Sequence, residues 1–461
     1  MRPPLKTLSG KRVHFIGIGG AGMSGLARIA LSHSIHVSGS DEKDSSVVKA
    51  LIALGAKIAS SHSADNVDGA DLVVYSTAIS SNNSEIIRAR ELGINILTRA
   101  AALSILMSDS TSIAVAGTHG KTTTSSMLAV ALQACGADPS FAIGGTITAS
   151  GSNAHRGTGE IFVAEADESD GSFIEYHPFG AIVTNVEHDH VDFFATPESV
   201  ENAFTAFAAT IDRKGFLTYC ADDRGALKLA EETTGLTLIS YGVREGSTLT
   251  LDSIELLAMG SHARAIWHGK SIGFIELQVP GHHNLLNAAA VLATGLQLGF
   301  NAADLLQGLA VFRGTGRRFE VKGTVHGVRV IDDYGHHPTE IDVTLRAARR
   351  YAGDGRLIVI FQPHRYSRTQ AFAAGFAQSL ALADRAIVLE IYAASEKPIP
   401  GVTAKMITDL MSEGEYIPNF IEVTDSVIES AAPGDVIITL GAGDVSSLAP
   451  IIVDGLIRRF G

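Results

Sequence analysis

The sequence predicts an α/β protein of three domains, and three observations carry that prediction. Short runs rich in Val and Ile alternate with helical patterns along nearly the whole chain, as expected of mainly parallel sheets. At 461 residues the chain exceeds what one hydrophobic core organises, so two or three domains are expected. Its 47 glycines stand singly or in pairs at turns, which suits many strand-to-helix corners rather than a low-complexity linker.

Taken in order, the first block holds RVHFIGI, HVSGSD, DLVVYST and NILT, each separated by a plausible helix, and closes near Met107. Residues 1–107 therefore form one expected domain. The second block, 108–313, opens with SIAVAGTHGKTT and contains EIFVAEADESD, GAIVTNVEHDH and FLTYC. Its section from about Leu236 to Val279 is more β-rich, and HHNLLNAAAVLATGLQLG then reads as a helix. The third block, 314–461, contains GVRVIDDYGHHP, RLIVIFQPHRY, RAIVLEIY and DVIITLGAGD. No repeat of solenoid period occurs.

Composition narrows the function classes. A net charge of −13 argues against nucleic acid as the main partner, because phosphate backbones need a basic face. With 46% hydrophobic and 18% charged residues the chain reads as soluble and globular. No run approaches the ~18 apolar residues of a membrane span. The N-terminal Pro-Pro leads into a glycine-interrupted strand rather than a signal segment, so cytoplasmic residence is expected. Cys135 and Cys220 lie in apolar contexts and are expected to pack, not to bind metal or pair.

In the first block, GIGGAG places Gly17, Gly19 and Gly22 in a GxGxxG pattern after a strand and before a helix. Such a turn brings backbone N–H groups and a helix N-terminus to a pyrophosphate, and predicts a Rossmann-like domain. Asp41 ends the next strand, 19 residues after Gly22, where an acid accepts a hydrogen bond from a ribose hydroxyl. The motif alone suits NAD, FAD or a UDP-sugar.

The second block carries a phosphate loop. In AGTHGKTTT, Gly120, Lys121 and Thr122 stand where backbone N–H groups, an ammonium and a Mg²⁺-binding hydroxyl are needed. Val115 occupies the position where the full GxxxxGK[ST] pattern has glycine, so the loop is a shorter one starting at Gly117. This predicts a central P-loop ATPase-type domain. Its metal needs a carboxylate at a neighbouring strand end, and IFVAEADESD offers Glu165 first, followed by Asp167, Glu168 and Asp170.

His188 and His190 follow another apolar run in NVEHDHVDF. Zinc is not expected there, because no third or fourth N/S ligand completes the set. His190 either faces the phosphate site or is a satisfied structural histidine. In the third block, Asp332, Asp333, Tyr334, His336, His337, His364, Arg365 and Arg368 cluster just beyond strand ends. That is where parallel α/β domains line a ligand crevice, and arginines there suit a carboxylate or phosphate.

The order GIGGAGMSG, GTHGKTTT, EADESDGSF, NVEHDHVDFF, GHHNLLNAA, GTGRRFE, DDYGHHPTEI and PHRYSRT resembles the Mur ligases along essentially the whole chain. EADESDGSF and DDYGHHPTEI are its most specific pieces. The resemblance implies an ATP- and Mg²⁺-dependent amide ligase whose Rossmann-like N-terminal domain holds a UDP-sugar. Its central domain would hold ATP, and its Rossmann-like C-terminal domain would close over both with the amino acid.

Carried over residue by residue, it implies that Gly19, Gly20, Ala21, Gly22, Met23 and Ser24 receive the UDP-sugar's pyrophosphate near Asp41. Gly117, Thr118, Gly120, Lys121, Thr122 and Thr123 would take the ATP phosphates, with Asn287, Arg318 and Asp333 also at ATP. Thr122, Glu165 and His190 would serve Mg²⁺. Tyr334, His336, Arg365 and Arg368 would frame the amino acid and the sugar's carboxylate. Lys121, Glu165, His190 and His336 are thus the expected catalytic set.

Several relatives carry a carbamylated lysine after the DHxD turn, but no lysine lies between Asp192 and Arg213 here. This points to the member that joins L-alanine to the lactyl carboxylate of UDP-N-acetylmuramate. A tripeptide-recycling ligase is the enzymatic rival; an NAD dehydrogenase or an ATP-driven switch would be a different class.

Overall fold

The computed structural model describes residues 5–76, 79–394 and 396–461, without the side chains of residues 5, 6 and 21. Three sheets follow one another along the chain. The first is all parallel, in the spatial order Lys57–Ala59, His36–Ser40, Arg12–Ile16, Leu72–Tyr75, Asn95–Thr98. The chain reverses direction of growth at Arg12–Ile16, so the glycine turn after that strand lies at the sheet's switch point.

The second sheet has ten strands. Thr111–Ala116 is central in its parallel part, between Gly180–Val183 and Ile161–Glu165. Leu249–Leu256, Ser261–Trp267 and Lys270–Leu277 extend it as an antiparallel meander, the β-rich section expected from sequence. The helix His282–Gln297 then packs back on this sheet, with Leu285, Val291 and Leu292 fully buried. The third sheet has six strands, parallel except for the edge strand Glu320–Val325.

The cores divide unequally. One continuous apolar cluster runs from Val13, Leu26 and Leu106 of the first unit to Phe162, Phe173 and Phe204 of the second. The third unit keeps its own clusters, around Phe361 and Phe376 on one face and Ile437 and Leu456 on the other. Consequently the first two units share oil, whereas the third meets the second through polar groups described below. Among the described residues no helix is long and apolar enough to cross a membrane. Cys220 is buried and Cys135 half-buried, and both are free thiols.

Local signals explain the helices that carry the site. Gly120 adopts φ 81° and starts the helix Lys121–Ala134. His337 caps the helix Pro338–Ala352, whose first position is the proline that suits it. Beneath the first sheet's rim, Glu85 is wholly buried and accepts hydrogen bonds from Ser40 Oγ (2.7 Å) and Asn66 Nδ2 (2.7 Å). Its carboxylate also meets His62 Nδ1 (2.8 Å) and His14 Nε2 (3.3 Å).

Two stability predictions follow from this packing. Phe173 stacks on Phe207 at 4.9 Å and meets Phe204 edge-on at 5.2 Å. Phe173→Ala should therefore cost about 3–5 kcal/mol in urea unfolding; a loss below about 1 kcal/mol would contradict the shared core. For Glu85, burial alone raises the carboxyl's pKa, but hydrogen bonds from His14, Ser40, Asn66 and His62 prevail and lower it from 4.5 to about 2. A depressed acid stabilises the fold above its unfolded value and loses that effect as pH falls through the folded one. Glu85→Gln should thus be less stable at neutral pH and show a flatter stability slope between pH 4.5 and about 2. Parallel slopes for the two proteins would refute this.

Candidate active site

The phosphate loop is shaped by close approach. Gly117 has φ 135°, and a Cβ there would fall 2.0 Å from Thr184 Oγ1. A Cβ at Gly120 would meet Asn287 Oδ1 at 2.8 Å. Glycine is required at both positions by sterics as well as by φ. The turn is tied down by its neighbour strand: Thr118 N–H donates to Asn185 O (3.1 Å), His119 N–H to Asn185 Oδ1 (2.7 Å) and Glu187 N–H to Thr118 Oγ1 (2.9 Å).

Lys121 Nζ donates to Gly117 O (2.7 Å), Thr118 O (3.1 Å) and Glu168, whose Oε2 lies at 2.8 Å. Burial works to discharge this lysine, but Glu168, Asp167 and Glu165 keep it ammonium. Burial in turn pushes Glu168 up to about 7 despite Lys121. Thr122 Oγ1 donates to Glu165 Oε1 at 2.9 Å, and Gly144 N–H donates to Glu165 Oε2 at 2.7 Å. The hydroxyl and the carboxylate expected to share a metal are therefore adjacent, and they are the hard oxygen donors that Mg²⁺ takes. His190 Nε2 lies 3.7 Å from Glu168 Oε1, and its buried Nδ1 has no hydrogen-bond partner. Burial lowers its pKa, so it offers a neutral nitrogen to this corner. His188 has a structural role, with Nε2 3.0 Å from Phe194 O.

A cavity opens beside the loop, lined by Gly120, Thr123, Asn287, Arg318, Phe319 and Asp333 among others. It joins the expected nucleotide residues of the second and third units. Asp333 accepts from Phe319 N–H (2.7 Å) and Gly335 N–H (2.8 Å), and burial raises its pKa. Arg318 stands over the Tyr334 ring at 5.0 Å.

Around the third unit's strand ends, Arg368 is 3% exposed and donates through Nε (3.0 Å) and Nη2 (2.9 Å) to Asp189 Oδ1 of the second unit. Burial raises the Asp189 pKa, but Arg368 and nearby histidines hold it far below the usual carboxylate range. Arg365 bonds Asp192 across the same seam, and Thr339 Oγ1 donates to Glu187 Oε2 at 2.8 Å. His119, Glu187 and His337 offer ligand atoms within 4.8 Å of one another. Burial opposes charge on His119, yet Glu187 and Glu340 raise it to about 9, so a proton already balances this cluster. His336 goes the other way: burial lowers it to about 3 and it stays neutral.

The glycine turn of the first unit differs in detail from its expected role. Asp41 points into the turn itself, accepting from Gly19 N–H (2.8 Å) and Lys43 N–H (2.9 Å). Gly20 precedes the helix Ala21–Ser32. Within that helix Met23 is 2% exposed in the apolar core, so it has only backbone to offer a ligand. Ser24 is likewise buried, with its N–H bonded to Gly20 O (2.8 Å); the Ala21 side chain lies outside the described residues. Sequence reasoning missed Arg99, against which a Cβ at Gly22 would stand 2.8 Å from Cδ. Tyr176, Asp167 and Asp170 keep that half-buried guanidinium charged between the glycine turn and the acidic strand end.

Comparison with known proteins bears on this arrangement. Residues 12–111 match the Mur ligase family catalytic domain, 115–295 the Mur ligase middle domain, and 317–443 the Mur ligase glutamate ligase domain. The chain belongs to the Mur ligase family. It is 50% identical over 451 residues to the UDP-N-acetylmuramate–L-alanine ligase of Renibacterium salmoninarum, covering 96% of each chain. The enzyme of that name from Saccharopolyspora erythraea is 48% identical, with 98% of this chain and 94% of that one covered. Among solved structures, the UDP-N-acetylmuramate–alanine ligase of Thermotoga maritima superposes with TM-score 0.82 at 31% identity, covering 97% of this chain and all of that one. A murein peptide ligase from Psychrobacter arcticus gives 0.73 at 25% identity, covering 97% and 99%. For a Mur ligase the glycine turn need hold no redox cofactor, and the dehydrogenase alternative falls away.

The Arg368–Asp189 pair generates a prediction. Removing one partner of a buried pair costs about 3–5 kcal/mol, because the other charge is left uncompensated. Arg368→Leu should loosen the third unit's docking and enlarge the radius of gyration in small-angle scattering. An unchanged radius would show that the pair does not hold the seam.

Proposed function

We propose that this Mur ligase joins L-alanine to the lactyl carboxylate of UDP-N-acetylmuramate, using Mg-ATP, as the first peptide addition in peptidoglycan precursor synthesis. Support comes from the similarity to UDP-N-acetylmuramate–L-alanine ligases, taken with the observation that carries the chemistry: Lys121 is held in the glycine turn by Gly117 O, and the next residue, Thr122, donates to Glu165. We assign 1–107 to the UDP-sugar, 108–313 to ATP and 314–461 to the amino acid.

A carboxylate is a poor acyl donor in water, since its oxygen is a poor leaving group. Phosphorylation by ATP converts that oxygen to phosphate. In this reading the lactyl carboxylate attacks the γ-phosphorus, giving an acyl phosphate and ADP. Lys121 exchanges Glu168 for the phosphate oxygens and stabilises the charge on the transferring group. Thr122 and Glu165 would hold Mg²⁺, with His190 beside them; the ion's part is to neutralise phosphate charge. Arg365 and Arg368 are paired here with Asp192 and Asp189, and they would meet the carboxylates of the acceptor and the sugar by exchanging those partners for them. The alanine amine then attacks the acyl carbon, its proton passes to neutral His336, and phosphate departs from the tetrahedral adduct. Docking of the third unit keeps water from the acyl phosphate.

The test mixes UDP-N-acetylmuramate and Mg-ATP with single amino acids and follows phosphate release and product mass. An amide product with L-alanine is expected, and its absence with alanine, serine and glycine alike would overturn the reading. Lys121→Ala should reduce kcat by ~10²–10³, the scale of losing one transition-state donor. Turnover within a factor of three of the parent protein would remove Lys121 from its role.

A further inference from the structure

Glu340, which follows the two histidines of GHHPTE, is 8% exposed and lies in the first turn of the helix Pro338–Ala352. One carboxylate there meets three parts of the molecule. Oε2 accepts from the His336 backbone N–H at 3.0 Å and faces His336 Nδ1 at 3.3 Å. Oε1 faces Arg318 Nη1, of the nucleotide cavity, at 3.3 Å. It also faces His119 Nδ1, of the phosphate loop, at 3.5 Å.

The arrangement decides the His336 tautomer. Nδ1 has the Tyr334 carbonyl oxygen at 3.1 Å and the Glu340 carboxylate at 3.3 Å, and both are acceptors. The neutral ring must therefore carry its proton on Nδ1, leaving the lone pair on Nε2. The ring itself is held between Tyr334, at 5.3 Å between centroids, and His364, at 5.8 Å. The groups acting on its charge are Glu340 and Asp189, which favour protonation, and Arg368 and His364, which oppose it. Glu340 is the one of these whose carboxylate stands against Nδ1.

We propose that Glu340 is a positioning residue that sets His336 to take the amine proton. This rests on the ligase reading above. As the amine nitrogen bonds to the acyl carbon, its proton moves to His336 Nε2. Glu340 then faces an imidazolium and stabilises it, while the carbon–oxygen bond to phosphate breaks.

The nucleophile is the lever that tests this. Hydroxylamine is largely unprotonated at neutral pH and attacks acyl phosphates without needing a base, giving a hydroxamate. With L-alanine, Glu340→Gln should lower kcat by ~10²-fold, the lower range for general-base catalysis, with the KM for ATP within about twofold. With hydroxylamine as acceptor, Glu340→Gln and the unaltered enzyme should form hydroxamate at rates within about threefold. His336→Gln should show the same split, and the double variant should be no worse than His336→Gln alone. Glu340→Asp keeps the charge at the helix N-terminus but withdraws the carboxylate, and should give a smaller deficit of the same kind. Equal losses with alanine and hydroxylamine, or a raised KM for ATP in place of the fall in kcat, would overturn the proposal. If the unaltered enzyme makes neither amide nor hydroxamate, the ligase reading itself fails, an outcome distinct from the failure of Glu340's role.

Discussion

The site as it stands depends on the buried contact between Arg368 and Asp189. Taking both charges from water is expensive, and an ion pair so placed is weak evidence of net stability. Its value lies in geometry, because two hydrogen bonds to one carboxylate oxygen fix how the third unit sits on the second. The other seam contacts, Thr339 to Glu187 and Arg365 to Asp192, fall into register around it. So do the cavity residues Asn287 and Arg318, which come from separate units and line one space.

The apolar clusters explain why that seam is polar. Continuous oil from Val13 to Phe204 makes the first two units one platform, and the glycine turn and phosphate loop keep a fixed relation. The third unit buries its own Phe361 and Ile437 internally and offers charges at its contact face. A surface of this kind can meet water or protein without exposing apolar area, which suits the docking of the third unit put forward under the proposed function.

Much of this was legible in the sequence, for identifiable reasons. Glycine turns announce themselves locally: Gly117 and Gly120 both take positive φ in a short loop, and the strand before them ends in the apolar run 113–116. The Thr122–Glu165 pairing was legible because Thr122 is in the first turn of the helix that follows one parallel strand and Glu165 ends the strand beside it. Other features were not. Arg368 and Asp189 are 179 positions apart and Thr339 and Glu187 are 152 apart, and no local spacing encodes such partners. Met23 sat inside a motif window, yet helical phase turned its side chain to the core. Glu168 read as one of several acids at a turn, and only its burial against Lys121 distinguishes it.

That last contact has a consequence for what the loop admits. With Lys121 already facing Glu168, Asp167 and Glu165, the loop is not an open positive trap. An arriving anion must exchange with an internal counter-ion, and it gains only the difference between two pairings. A small phosphate brings nothing to compensate the carboxylate it displaces. On the function proposed above, a triphosphate arriving with its own cation would, and the loop would then discriminate by the charge balance of the whole ligand rather than by its negative charge alone.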